Sequence, residues 1–158
     1  MVIKSVNYLP IQLTFFQPRS TAMSYFPPRA AQRVIPYLIY SDAKRAIAYL
    51  RDVFGFKEEL LYPMDDGRVG HAELSCDGNV IYLASEFDGF GVSPQKLGDT
   101  HSGLYWLVDD ADAHFARTKQ AGATIVSEPI DAHGMRVYRA LDSEGHRWTF
   151  ATPSKAAA

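Results

Sequence analysis

The sequence predicts an α+β fold made of two βαβββ units, and three observations carry that prediction. The stretch 136–152, RVYRALDSEGHRWTFAT, reads as two strands joined at the turn Asp142-Ser143-Glu144-Gly145. Val137 and Leu141 mark an apolar face before the turn, and Trp148 and Phe150 alternate with Arg147 and Thr149 after it. The same device occurs in 68–85, where Leu74-Ser75-Cys76-Asp77-Gly78 leads into Asn79-Val80-Ile81-Tyr82-Leu83. Four landmarks recur at one spacing: Gly145, Leu141, Asp109 and Gly122 lie 67 positions after Gly78, Leu74, Asp42 and Gly55, respectively. A fixed period of this kind is the signature of two copies of one unit.

Taken in order, residues 1–32 fall outside the repeat, and Pro10, Pro18, Pro27 and Pro28 oppose a long regular element there. They are expected to form an extension in which 11–16 adds an edge strand or packs Leu13, Phe15 and Phe16 on the surface; a second expectation is that Met23 is the functional start. The first unit, 33–85, opens with the β-rich run 34–40, its early part placed by Pro36 where no N–H donor is needed. Ser41 or Asp42 then caps a helix through Phe54, with Ala46, Ile47, Leu50, Val53 and Phe54 as its apolar stripe and Gly55 as its stop. Strands follow at 56–62, 69–75 and 79–84, the first two joined by the turn Asp65-Asp66-Gly67.

Gly89, Gly91, Pro94 and Gly98 mark 86–101 as an irregular linker, with Phe87 and Phe90 available as lid or packing contacts. The second unit, 102–153, repeats the order: a strand at 103–108, a helix from about Asp110 to Gln120, a stop at Gly122, a strand at 124–128 and the final hairpin. The tail 154–158 is expected to fray.

Composition narrows the function. With 158 residues, 47% of them hydrophobic, the chain has material for one domain with a real core. A net charge of −2 with both signs interspersed offers no basic field for nucleic acid and no polybasic membrane segment. Cys76 is the single cysteine, which excludes an internal disulfide and a multi-cysteine zinc site and makes the cytoplasm the expected location. The apolar stretch 8–16 is broken by Pro10 and Gln12 and does not read as a signal peptide.

The strand, Asp-capped helix and Gly stop of each unit, with Val108-Asp109-Asp110, Ala121-Gly122-Ala123 and Leu141-Asp142-Ser143-Glu144-Gly145-His146, resemble the vicinal oxygen chelate superfamily. That superfamily includes glyoxalase I, extradiol dioxygenases and bleomycin-resistance proteins. The resemblance covers about 33–153 and implies that the units roll into a cupped mixed sheet with helices outside, that the ligand sits in the concave space, and that two copies pair as a homodimer. Metal-dependent members carry a His or Gln on the first strand and a Glu on the last strand of each unit. The matching positions here are Ile35, Tyr82, Gly103 and Thr149, and none is a normal metal ligand. The resemblance therefore points to the metal-free, bleomycin-resistance-like branch, with no cofactor.

Strand alternation assigns the faces. Leu104, Trp106, Val108, Ile81, Leu83, Trp148 and Phe150 are expected against the helices, and Tyr37, Ile39, Tyr82, Tyr105, Leu107, Arg147 and Thr149 toward the cup. The same logic turns Ala72 and Leu74 to the helices and His71 and Glu73 inward, and in the second unit sends Arg136 and Tyr138 inward. The expected ligand-binding set is thus Tyr37, His71, Glu73, Tyr82, Tyr105, Arg136, Tyr138, Arg147 and Thr149. An aromatic cup with a few polar groups suits a flat or amphipathic small molecule. The plain alternative is that Tyr is simply a good strand residue.

His71 and Glu73 are also the only candidates for catalysis, as an acid–base couple or half of a metal site completed by His101 or Glu86. His114, His133 and His146 are expected at the solvated surface, and Asp109, Asp110 and Asp112 as helix caps and dipole complements. Two functions follow: metal-free binding of an aromatic compound such as an antibiotic or toxin, or a metal-dependent lyase or dioxygenase with an off-pattern site. A third role, assembly, rests on the homodimer alone.

Overall fold

The computed structural model describes residues 32–154. The expected edge strand at 11–16 and the start at Met23 lie outside the described residues. Two four-stranded mixed sheets of identical plan make up the fold. In the first, β1 (Tyr37–Tyr40), β2 (Lys57–Pro63), β3 (Val69–Cys76) and β4 (Asn79–Ser85) lie in the order β1-β4-β3-β2. In the second, β5 (Gly103–Leu107), β6 (Thr124–Ala132), β7 (Met135–Leu141) and β8 (Arg147–Pro153) lie in the order β5-β8-β7-β6. Each first strand runs parallel to its last strand, and the other pairings are antiparallel.

The crossover from first to second strand is a helix in both units. In the first, Asp42 caps α1 (Ala43–Tyr49) by accepting from the Arg45 N–H at 3.1 Å. The helix continues as a wider π-helical segment over Leu50–Phe54, which ends at Gly55, where φ is 83°. In the second unit Asp110 accepts from the Ala113 N–H at 3.0 Å and opens α3 (Ala111–Gln120). The linker holds one short turn of helix, α2 (Pro94–Leu97). At the edges, the Gln32 amide mimics a strand partner, accepting from Val80 N and donating to Val80 O, both at 2.8 Å. Ser154, expected to fray, is tied to Gly134 O and Asp131.

The helix-covered faces of the two units share one core. Leu38, Tyr40, Ile47, Leu50, Phe54, Leu74, Ile81 and Leu83 come from the first unit and Trp106, Tyr138, Trp148 and Phe150 from the second. Phe54 stacks edge-on with both Trp148 and Phe150, at 5.5 and 5.1 Å between ring centres.

The second hairpin fastens the units. Buried Asp142 accepts from the Tyr40 hydroxyl at 2.7 Å, from Trp148 Nε1 at 3.1 Å and from the backbone N–H groups of Glu144 and His146. Glu144 takes the N–H groups of Ser41 and Asp42, both at 2.7 Å, just ahead of α1. Asp142-Ser143-Glu144-Gly145, a turn by sequence, is therefore also a clasp between the units.

Two histidines depart from the surface expectation. His146 is buried beside Tyr40, and His114 lies on the inner side of α3 against Phe150. His114 Nε2 faces the Phe54 carbonyl, an acceptor only, so that nitrogen carries the proton and Nδ1 receives the Tyr138 hydroxyl. Burial, followed by the charge of Arg117, pushes the His114 imidazole down to about 4, so it is neutral at pH 7.

Candidate functional site

The face of the first sheet turned away from the core carries a polar chain inside an aromatic wall. Register places Tyr37 opposite Tyr82 and Tyr82 opposite Glu73, and directly opposed residues share a face. His71 is two positions from Glu73 on the same strand and so joins them. The Tyr37 ring meets Tyr82 edge-on at 6.0 Å and Phe90 of the linker at 5.4 Å, and His71 meets Tyr82 at 4.9 Å. Phe90 thus belongs to the wall, as does Tyr62, 6.3 Å from His71. Tyr62 is aligned with His71 across the β2/β3 pair, a partnership that alternation along one strand does not reveal.

The polar chain has a defined direction. Glu73 Oε1 lies 3.3 Å from His71 Nε2, and a carboxylate beside that nitrogen selects the tautomer protonated there. His71 Nδ1 is then the acceptor for the Tyr37 hydroxyl at 2.9 Å. Glu73 is only 3% exposed, and its Oε2 has no hydrogen-bond partner among the described residues. Burial raises the Tyr37 phenol above its ordinary range, so it remains protonated at neutral pH. Phe90 is placed by Glu86, which binds Ser93 N at 2.7 Å, Ser41 Oγ at 2.9 Å and Lys96 at 2.8 Å. Lys96, followed by the Ser93 N–H, lowers the Glu86 carboxyl to about 2.

On the second sheet the corresponding face carries Tyr105 and Leu107, 58% and 59% exposed, with Thr149 opposite Tyr105 and Arg147 opposite Gly103. Arg136 and Tyr138 are not on it. Tyr138 points into the core, fully buried, hydrogen-bonded to Thr118 and His114 and stacked on Phe150. Arg136 reaches the opposite way from the cup, pairing with Asp112 of α3 at 2.9 Å and with Asp131 at 3.4 Å.

The cause of that correction is hairpin length. β3 and β4 close over Asp77-Gly78 with Cys76 opposite Asn79, whereas β7 and β8 close over 142–146 with Leu141 opposite Arg147. After the turn the repeat keeps its spacing, with Thr149 taking the place of Tyr82. Before it, the place of Glu73 falls to Arg139, opposite Thr149, and every neighbour switches face. Arg139 is the residue that the constant spacing hid.

The four positions that hold a metal in chelating members of such folds carry Ile35, Tyr82, Gly103 and Thr149, and this donor chemistry does not fit a divalent ion. Among the described residues no three His, Cys, Asp or Glu side chains gather as a metal site, so neither His101 nor Glu86 completes one with His71 and Glu73. Cys76 is half-buried, and burial followed by Asp77 pushes its thiol up to about 11, so the thiol form prevails at neutral pH. Among the described residues no helix is long and apolar enough to cross a membrane.

Paired βαβββ units around a shared helix-side core define a two-module α+β protein. The chain belongs to the Glyoxalase/Bleomycin resistance protein/Dioxygenase superfamily, whose family model matches residues 31–150. It is 32% identical over 123 residues to the uncharacterized protein Mb0911c of Mycobacterium bovis, spanning 75% of this chain and 81% of the relative. The crystal structure of TioX from Micromonospora sp. ML1 superposes with a TM-score of 0.62 at 32% identity, covering 78% of this chain and 99% of that one. TnmS3, an antibiotic binding protein from Streptomyces sp. CB03234, shares the fold with a TM-score of 0.60 at 21% identity, over 78% of this chain and 98% of its own.

Proposed function

We propose that this protein binds a small aromatic or amphipathic molecule against the outer face of the first sheet, without a metal, and that sequestration of an antibiotic or toxin is its role. The observation that carries the reading is the set Tyr37, His71, Tyr82 and Phe90, whose rings meet edge-on outside the core they would otherwise stabilise. Tyr37 and Phe90 are 40% and 53% exposed and present ring surface to a flat ligand, and rings on a rigid wall lose little freedom when they bind. TnmS3 carries antibiotic binding on the same fold, which supports the scaffold's suitability for such ligands.

The lyase or dioxygenase alternative needs a third donor beside His71 and Glu73, and the described residues offer none within a common cluster. A homodimer in the cytoplasm completes the proposal: Tyr105 and Leu107 of the second sheet form an apolar face that a second copy would cover. The test is a fluorescence or calorimetric titration with planar aromatic compounds, run beside elemental analysis of protein purified without an affinity tag. Tyr82→Ala should weaken binding by about 0.5–1.5 kcal/mol beyond lost area, roughly two- to twelvefold. Unchanged affinity, or near-stoichiometric metal that leaves with His71→Ala, overturns the reading.

A further inference from the structure

We infer that the first-sheet wall selects a ligand bearing a protonated nitrogen, held by Glu73 Oε2 among the rings, with Tyr37 Oη accepting from a second donor of the same ligand. This rests on the proposed binding face and specifies the ligand's chemistry.

The two oxygens of Glu73 are unequally satisfied. Glu73 sits in the middle of the sheet, opposite Tyr82 on one side and Leu60 on the other, and is 3% exposed. One of its oxygens accepts from His71; the other is buried with no partner among the described residues. A buried carboxylate oxygen without a donor is costly, and the cost falls when a donor arrives, most of all a charged one. Its bonded neighbour His71 is committed on both nitrogens, to Glu73 and to Tyr37.

The direction of the proton chain adds a second constraint. Because His71 donates to Glu73, it must accept from Tyr37, and the only proton on the Tyr37 hydroxyl is used in that bond. The remaining Tyr37 lone pair is an acceptor on a side chain that is 40% exposed. A ligand group beside either oxygen has to donate, so a carboxylate, phosphate or bare carbonyl is rejected at both; because the two oxygens lie on opposite sides of the His71 ring, the cationic nitrogen goes to Glu73 Oε2 and a second donor to Tyr37 Oη.

The rings point the same way. Tyr82 stands opposite Glu73 in register, and the Tyr37 ring meets both Tyr82 and Phe90; the faces of such π systems attract cations. A carboxylate within an aromatic wall is an arrangement that stabilises ammonium, amidinium or protonated ring nitrogen, and gives a neutral molecule of equal area nothing beyond stacking.

The matched probes are 9-aminoacridine, a planar cation at pH 7.5, and acridine, the same three rings but neutral at that pH. Each is titrated by fluorescence into the full chain, Glu73→Gln, Tyr37→Phe and Tyr82→Ala, with thermal melts to verify folding. The inference expects about tenfold tighter binding of the cation, a preference that shrinks below about threefold in Glu73→Gln and falls partway in Tyr37→Phe. Should Glu73→Gln fail to fold, Tyr37→Phe decides, because its ring stays and only the acceptor is lost. Equal binding of both probes, weakened by Tyr82→Ala, overturns the cation preference and leaves the aromatic site standing. Binding of neither probe, or binding indifferent to Tyr82→Ala, overturns the site and the preference with it.

Discussion

The Tyr40 hydroxyl donates to Asp142 across 2.7 Å, joining the first strand of one unit to the last hairpin of the other in a fully buried hydrogen bond. Asp142 is the hub of this clasp, and each bond to its carboxylate is charge-assisted. Tyr40→Phe removes one such bond and should cost about 1.5–3 kcal/mol. Asp142→Asn should cost more, because an amide nitrogen is turned toward donors that then lose their acceptor. Urea denaturation of both variants checks the order; a neutral Asp142→Asn would mean that the units are held by the aromatic core alone.

Acid should loosen the fold in two stages. The His114 imidazole is held down at about 4 against 6.5 in the unfolded chain, so between these values only the unfolded chain takes the proton. Its contribution is complete above pH 6.5 and is lost as pH falls toward 4, with a slope of about 1.4 kcal/mol per pH unit at most. Burial raises the Asp142 carboxyl, but His146, Tyr40 and Trp148 outweigh it and leave it below its ordinary 3.8, so its contribution is lost at still lower pH. His114→Phe should flatten stability between pH 6.5 and 4 and leave the lower transition in place. Denaturation curves at pH 7, 5.5 and 4.5 measure this, and an unchanged slope would contradict the burial of the imidazole.

How much was legible in the sequence depended on whether the signal was local. Asp42, Gly55, Asp110 and Gly122 announce helix ends through their own caps and positive φ, and both helices fall where these residues place them. The π-helical turn at Leu50–Phe54 has no such marker, because its residues are ordinary helix formers. Alternation fixed the first sheet's faces but failed on β7, since one extra residue in a hairpin reverses every side chain upstream of it. His114 was missed through its residue type, although Ala111, His114 and Thr118 form a buried stripe at helical spacing that was there to be read. Glu73 was legible in position but not in burial, which depends on Tyr82 and Leu60 from two other strands.

The reversal on β7 separates stability from binding. Tyr138→Phe strips Thr118 and His114 of a buried partner and should destabilise by about 1–3 kcal/mol while leaving ligand affinity unchanged. Arg136→Ala breaks an exposed, solvent-screened pair with Asp112 and should leave stability close to that of wild type. Thermal melts with parallel titrations distinguish the cases. A Tyr138→Phe variant of normal stability and weakened binding would return Tyr138 to the cup.

Tyr105 and Leu107 pose the remaining question, since both are more than half exposed on a strand whose other face is core. Ile130, opposite Val137, extends the same apolar side and is 48% exposed. Apolar side chains grouped on one sheet face cost free energy in water unless something covers them. If a second copy does so, Tyr105→Glu with Leu107→Glu should convert a dimer to a monomer and leave each monomer's melting unchanged or improved at low concentration, because neither side chain contributes to the shared core. Sedimentation velocity over a hundredfold concentration range reads this directly. A wild-type chain that stays monomeric throughout would remove the homodimer and leave this face as further wall for the ligand, in which case the same double variant should weaken binding instead.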